Sequence, residues 1–177
     1  MQASSYFDAC CDAMKSLGDR GAFFIGQSVR YPSNAMFKTL RDVPMEQRIE
    51  VPVFEDVQMG MSIGYALGGF LPISCFPRMD FLLLAANQLV NHLDKVPFTA
   101  WGQRAKVIVR TSVGAKWPLH SGHQHTQDHT AAFRLMLRTV EVIELNCARD
   151  VLPGYEHAMA SDRSCLIVER QDLYGEQ

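Results

Sequence analysis

The sequence predicts one α/β domain built on a mostly parallel, doubly wound sheet with helices on both faces. Three observations predict it. Short apolar runs of strand length alternate with segments whose apolar residues recur at helical spacing. The 177 residues suffice for one full core, which would bury roughly 70% of the unfolded surface, and two domains would be cramped. No internal repeat or low-complexity segment divides the chain, so 1–177 reads as a single domain.

The elements follow in order. Residues 4–17 place Phe7, Cys10, Cys11 and Met14 at helical spacing, with Ser4 or Ser5 as the N-cap. Ala22-Phe23-Phe24-Ile25, after a Gly-Asp-Arg-Gly turn, reads as a buried strand. Residues 27–48 are polar and irregular, a long loop of the kind that carries function. Val51-Pro52-Val53-Phe54 is apolar and strand-like, and Glu55 opens a helix directly after it. Leu71–Phe76 is a strand. A helix over Asp80–Lys95 follows, with Leu82, Ala85, Ala86, Leu89 and Leu93 on its apolar face and Asn87, Asn91 and Asp94 on the others. Val107–Val109 and Val140–Leu145 are strands, Thr130–Leu137 and Val151–Ala160 helices, and Leu166–Glu169 the last strand.

Composition narrows the function. Lys and Arg number 17 against 19 acids without a basic cluster, which gives no support for nucleic-acid binding. There is no run of 18 apolar residues and no signal-peptide pattern at the N-terminus, so no membrane role is expected. The five cysteines are odd in number and form no C-x-x-C pair. They read as reduced thiols of a cytoplasmic protein.

Two segments invite chemistry. Gly60, Gly64 and Gly68 lie at spacing four in the helix that Glu55 opens. A helical glycine costs about 1 kcal/mol relative to alanine. Three on one stripe therefore point to close approach of another backbone, within the domain or across a subunit interface. In a parallel sheet, ligands sit beyond the carboxyl ends of the strands. Glu55, the loop after Gln27 and the segment from Thr111 to His129 all fall there. The last holds His120, His123, His125 and His129. His123-x-His125-x-x-Asp128-His129 is similar to the H-x-H-x-D-H signature of metallo-β-lactamase-fold zinc hydrolases, with one residue inserted. A zinc hydrolase using His123, His125 and His129 is thus one alternative, and a non-catalytic regulatory subunit is another.

The main reading comes from a different resemblance. Glu55-x-x-x-x-Gly60-Met61-x-x-Gly64-Tyr65 resembles the E-x4-G-Φ-x-x-G-Φ pattern (Φ apolar) of pyrimidine-binding domains in thiamine-diphosphate enzymes. The chain most resembles the β subunits of pyruvate and branched-chain 2-oxoacid dehydrogenases, and more distantly the central domain of transketolase. The likeness runs in order along nearly the whole sequence. Phe24-Ile25-Gly26 resembles the strand entering the family's G-E loop, with Gln27 in place of Glu. Val51–Glu55 resembles T-P-I-[TS]-E. Pro72–Phe81 and Asn87–Asn91 resemble P-I…F…F…D-Q-[VI]-x-N. His125-Thr126-Gln127 resembles H-S-Q, and Glu169–Gly175 resembles E-x-x-x-x-Y-G.

That resemblance implies roles. Thiamine diphosphate reacts after its own aminopyrimidine takes a proton from the thiazolium ring, and a carboxyl bonded to the pyrimidine nitrogen drives the change. Glu55 is the implied carboxyl, shielded from water so that it can share a proton. Phe81 is the aromatic that stacks on the pyrimidine, and Val53 the aliphatic near the thiazolium. His125 faces the substrate and stabilises or protonates the enolate-like stage of the reaction. His123 and Gln127 add polar contacts. Arg78, beside the site, offers a cation to an anionic substrate. No G-D-G…N motif occurs, Gly18-Asp19-Arg20 breaking the nearest candidate, so the resemblance implies a partner subunit that holds the diphosphate and its magnesium in an α2β2 assembly. The chain also ends two residues past Gly175, where the family's β subunits continue into another domain. The expected substrate is a small 2-oxoacid or ketose, and carboligation, ketol transfer or decarboxylation is favoured over a dehydrogenase.

Overall fold

The computed structural model describes residues 5–99, 105–114 and 120–175. Among them six strands form one sheet in the order β2-β1-β3-β4-β6-β5, and every neighbouring pair is parallel. The strands are β1 (Phe23–Gly26), β2 (Arg48–Glu50), β3 (Pro72–Phe76), β4 (Ile108–Val113), β5 (Glu141–Leu145) and β6 (Cys165–Arg170). A parallel ladder needs a crossover for every return. The amphipathic helices supply the crossovers and cover both faces, as the alternation of patterns predicts.

On one face lie α1 (Tyr6–Asp19) and α6 (Ala148–Ala160), packed on each other over Cys10, Met14, Leu17, Phe24, Ile108 and Ile167. On the other lie α3 (Glu55–Leu67), α4 (Met79–Leu82) and α5 (Thr130–Met136), over Met59, Phe76, Leu89, Val109, Phe133 and Leu166. Adjacent residues of β4 and β6 enter opposite cores, the period-two pattern of a sheet buried on both faces. Ser5 caps α1, its hydroxyl accepting from Asp8 N–H.

Three sequence expectations need correction. The segment 27–48 is not featureless: it carries α2 (Ala35–Lys38), capped by Asn34, and the edge strand β2. That strand, Arg-Ile-Glu, has one apolar residue, and its charges serve the loop. The buried Arg48 guanidinium donates to the carbonyls of Val43, Val29 and Leu40. The Glu50 carboxylate accepts from the backbone N–H groups of Ser28, Val29 and Arg30. The apolar run Val51–Phe54, read as a strand, is instead an exposed connection after Val51.

The helix expected over Asp80–Lys95 is also broken. After α4 come a 3-10 turn (Leu83–Ala85), a π turn (Gln88–His92) and a further 3-10 stretch (Leu93–Phe98). Leu82, Ala85, Leu89 and Leu93 still face the core. Asp94, expected on a polar face, is fully buried. One of its oxygens accepts from the N–H groups of Arg138, Thr139 and Val140. Burial acts to raise its pKa, but the Lys95 ammonium and those three N–H groups outweigh it and hold the carboxyl down from 3.8 to about 2. A depressed folded-state pKa contributes stability that is whole above the unfolded value and is lost as pH falls through the folded one. Between pH 4 and pH 2 the protein is therefore expected to lose about 2 kcal/mol through this group. Urea melts across that window check it: Asp94→Asn should lack that share of the pH dependence.

Beneath α1 and α6 the side chain of Arg110 is fully buried and paired bidentately with Glu169, at 2.8 and 2.9 Å. Glu169 also accepts from the hydroxyls of Tyr155 and Tyr174. Burial, then the Glu169 charge, drives both phenols far above their ordinary pKa. The E-x-x-x-x-Y spacing seen in the sequence is thus a hydrogen bond closing a buried polar cluster.

Candidate active site at the carboxyl edge of the sheet

The candidate residues gather where the strands end. Glu55 is the first residue of α3 and only 8% exposed, yet among the described residues its carboxylate accepts no hydrogen bond. Its oxygens are not among the sealed polar atoms that lack a partner; they keep access to solvent at the edge of the chain, where the helix N-terminus favours their charge. One turn later the Gln58 side chain, 3% exposed, donates to the carbonyls of Ile25 and Cys75 and to Ser74 Oγ. Gln58 thereby pins the start of α3 across the ends of β1 and β3. Sequence reading missed it, although its place three residues after Glu55 puts it on the inward face of the helix.

Val53 and Phe54, just before Glu55, are 58% and 62% exposed. They do not shield the carboxylate within this chain, and with Val57 and Met61 they form an apolar surface along α3. The glycine stripe lies on the same helix. A Cβ on Gly60 would meet only the Gln88 side chain at 3.7 Å, and one on Gly64 would meet nothing within 4 Å. Gly68 is the C-cap. Among the described residues, none of the three is used for close packing against another element's backbone.

Phe81 and His125 come together, ring centroids 5.5 Å apart and perpendicular. The His125 loop leaves β4 and returns through a 3-10 turn (His123–His125) entered by Gly122 at φ 93°; residues 115–119 of that segment lie outside the described residues. Arg78 Nη1 donates to the His125 carbonyl at 2.7 Å, and Nη2 to Ser121 Oγ at 3.0 Å. Burial lowers the Arg78 pKa, with Asp80 acting against it. Gln127 donates to Asp80. Asp128 accepts from Arg170 and Thr130 and is held below its ordinary pKa; burial opposes this, and those hydrogen bonds outweigh it. A cavity of ≈200 Å³ opens beside this cluster, lined by Gln27, Ser28, Ser33, Arg78, Phe81 and Gln171. Two of the lining residues are tied together by the buried Ser112 Oγ, which lies within hydrogen-bond distance of Pro77 O and Gln171 Oε1.

The zinc alternative fails on this geometry. Among the described residues no three His, Cys, Asp or Glu side chains converge as metal ligands. His123 packs against His120, His125 against Phe81, and His129 sits below α4 with its N–H on Met79 Sδ. The His123 and His125 rings thus meet different neighbours, while His129 gives Met79 its backbone N–H and keeps its ring Nε2 buried without a partner. All five cysteines are unpaired, only Cys147 being exposed. No helix of the described residues is long and apolar enough to cross a membrane.

Comparison with known proteins agrees with the architecture. The chain is 30% identical over 135 residues to a pyruvate dehydrogenase E1 component subunit beta of Gracilaria tenuistipitata var. liui, covering 72% of this chain and 41% of that one. It is 26% identical over 174 residues to the same-named subunit of Rickettsia conorii, covering 95% and 52%. A solved structure described as a split-gene transketolase in an inactive beta4 tetramer superposes with a TM-score of 0.69 at 14% identity, over 94% of this chain and 51% of that one. The chain thus spans about half the length of the relatives it matches. No family model matches it.

Proposed function

Because this chain is a transketolase-like pyrimidine domain homologous to pyruvate dehydrogenase E1 beta subunits, we propose that it is the pyrimidine-binding subunit of a split thiamine-diphosphate enzyme. Such an enzyme makes or breaks a C–C bond next to a carbonyl, by 2-oxoacid decarboxylation, ketol transfer or carboligation. The observation that carries the reading is Glu55, a nearly buried residue whose carboxylate, unpartnered among the described residues, stays open at the sheet edge where ligands bind.

The residues present fit the cofactor. Glu55 would accept a hydrogen bond from the pyrimidine ring and hold the shared proton. Phe81, half-buried on the cavity, would bound the ring's face, and Val53, exposed beside Glu55, would lie against the thiazolium. When bound, thiamine diphosphate supplies a carbon nucleophile and an electron sink; the protein supplies placement and proton control. His125 would hold or deliver a proton at the substrate oxygen, with His123 and Gln127 as neighbouring polar groups.

The diphosphate and magnesium need a second subunit carrying G-D-G…N, because nothing in this sequence matches that motif. The apolar and glycine face of α3 is the surface we assign to that partner in an α2β2 assembly. The neighbour's beta4 assembly is described as inactive, and this chain without its partner is likewise expected to be inert. Pull-down from the host with this chain as bait, in thiamine diphosphate and magnesium, tests the proposal. It should return a stoichiometric subunit bearing G-D-G…N, and calorimetry should show cofactor binding to the pair. A reconstituted pair that binds no thiamine diphosphate would overturn the reading.

Substitution of Gly64 separates assembly from folding. Nothing in the chain stands near a Cβ at that position, and leucine is the better helix former by roughly 0.8 kcal/mol. Gly64→Leu is expected to leave the chain as stable or slightly more so, yet to weaken partner binding at least a hundredfold. Thermal melts and sedimentation of the mixed subunits check the two halves. Unchanged association would remove α3 from the interface.

A further inference from the structure

A guanidinium beside a substrate pocket suits an anionic substrate, but the hydrogen bonds of Arg78 run elsewhere. Nη1 reaches the carbonyl of His125, 47 residues on, and Nη2 the hydroxyl of Ser121. The next two residues grip the same loop: Met79 Sδ receives the N–H of His129, and the Asp80 carboxylate receives the Gln127 amide. Three consecutive side chains at the start of α4 thus hold the loop over residues 121–129. Phe81, the fourth, meets the His125 ring. On the far side Arg170 ties Asp128 to Glu144 and Asn146.

We infer that Arg78 is a positioning residue, which seats the His125 imidazole by holding that residue's own carbonyl and the hydroxyl of Ser121. The inference rests on the reading of His125 as the group that faces the substrate. A main-chain carbonyl is a sound handle because it fixes the Cα from which the ring projects, leaving both ring nitrogens outside the contact. Arginine suits the task, since one planar fork reaches two acceptors at once and keeps its charge. Lysine offers a single point of attachment. The stretch 121–129 is entered at Gly122, at φ 93°, and the Arg78 contacts fix its course from outside. A displacement of about 1 Å at a reacting group can cost roughly a hundredfold in rate.

NMR of the full chain tests this without cofactor or partner. The His125 imidazole protons should be displaced from the free-histidine position by the Phe81 ring current, and Phe81→Leu should remove that displacement alone. The amides of Gly122 and His125, both bonded within the loop, report its order. Arg78→Ala is expected to speed their hydrogen exchange at least tenfold and to return the imidazole shift towards the free value. Arg78→Lys should recover most of the imidazole shift and a part of the protection. An Arg78→Ala chain with unchanged exchange and imidazole shift would overturn the inference. So would a saturable shift of the Arg78 Nε–H signal on titration with pyruvate or inorganic phosphate, which would make it a substrate cation instead. A failure of the thiamine-diphosphate reading shows separately, as absence of cofactor binding by the reconstituted pair.

Discussion

Glu55→Gln is expected to slow exchange of the thiazolium C2 proton in the reconstituted enzyme by roughly a hundredfold to ten-thousandfold, the usual range for a lost general acid–base group. Turnover on any substrate should fall with it. Glutamine keeps the shape and can still hydrogen-bond the pyrimidine, but it cannot exchange a proton with the ring. Proton exchange measured by NMR after quenching needs no knowledge of the substrate, so it tests the role before the reaction is identified. Folding should change little. The substitution loses a favourable charge at the first turn of α3, worth about 0.3–1 kcal/mol, and breaks no side-chain hydrogen bond among the described residues. Asp56→Asn is the control: Asp56 is the exposed neighbour and bonds to Gln88, and its loss should leave exchange near normal. A Glu55→Gln enzyme as fast as wild type would remove the proposed chemistry from this edge of the sheet.

The largest effect on stability is expected at Glu169. Removing it as Glu169→Ala strands the Arg110 guanidinium, whose side chain is fully buried and whose Nη1 already lacks a partner. It also orphans the hydroxyls of Tyr155 and Tyr174. Breaking one member of such a pair costs about 3–5 kcal/mol, which for a chain of this size corresponds to roughly 10 °C in Tm. The pair itself need not contribute that much, since desolvating both charges offsets their attraction. Arg110→Met combined with Glu169→Leu should therefore be less damaging than Glu169→Ala alone, and urea melts of the double variant and its two component singles give the coupling. A double variant worse than the single would mean that the polar cluster contributes more than an apolar core would.

Much of this was legible in the sequence, for identifiable reasons. β1, β3 and β6 are buried on both faces and read as continuous apolar runs, and the helices of both layers show their period. Where polar side chains satisfy backbone, pattern reading fails. Arg48 and Glu50 define an edge strand by serving the loop beside it, and Asp94 is buried because three N–H groups converge on it. Neither has a periodic signature. The parallel-sheet rule put Glu55 and the His125 segment at the carboxyl ends of the strands, and the resemblance added the roles proposed for them and for Phe81. Neither could show that Val53 and Phe54 would be exposed, nor that Arg78, Met79 and Asp80 would grip the histidine loop, because those contacts join residues about 45 positions apart by geometry alone.

The all-parallel sheet has a consequence for how the chain acquires its structure. The sheet's longest ladder joins β4 to β6, and a backbone N–H at Val107 meets a side chain at Ser164, 57 residues away. No hairpin can nucleate such a pairing, and long loops must close before their contacts stabilise anything. While the chain is being synthesised, β1, β2 and β3 can pair early, carrying α3 and Glu55 with them. The Arg110–Glu169 cluster must wait for Glu169 and Tyr174 to emerge. The half that bears the surface we assign to the partner would thus be exposed first, and its capture would compete with completion of the second half.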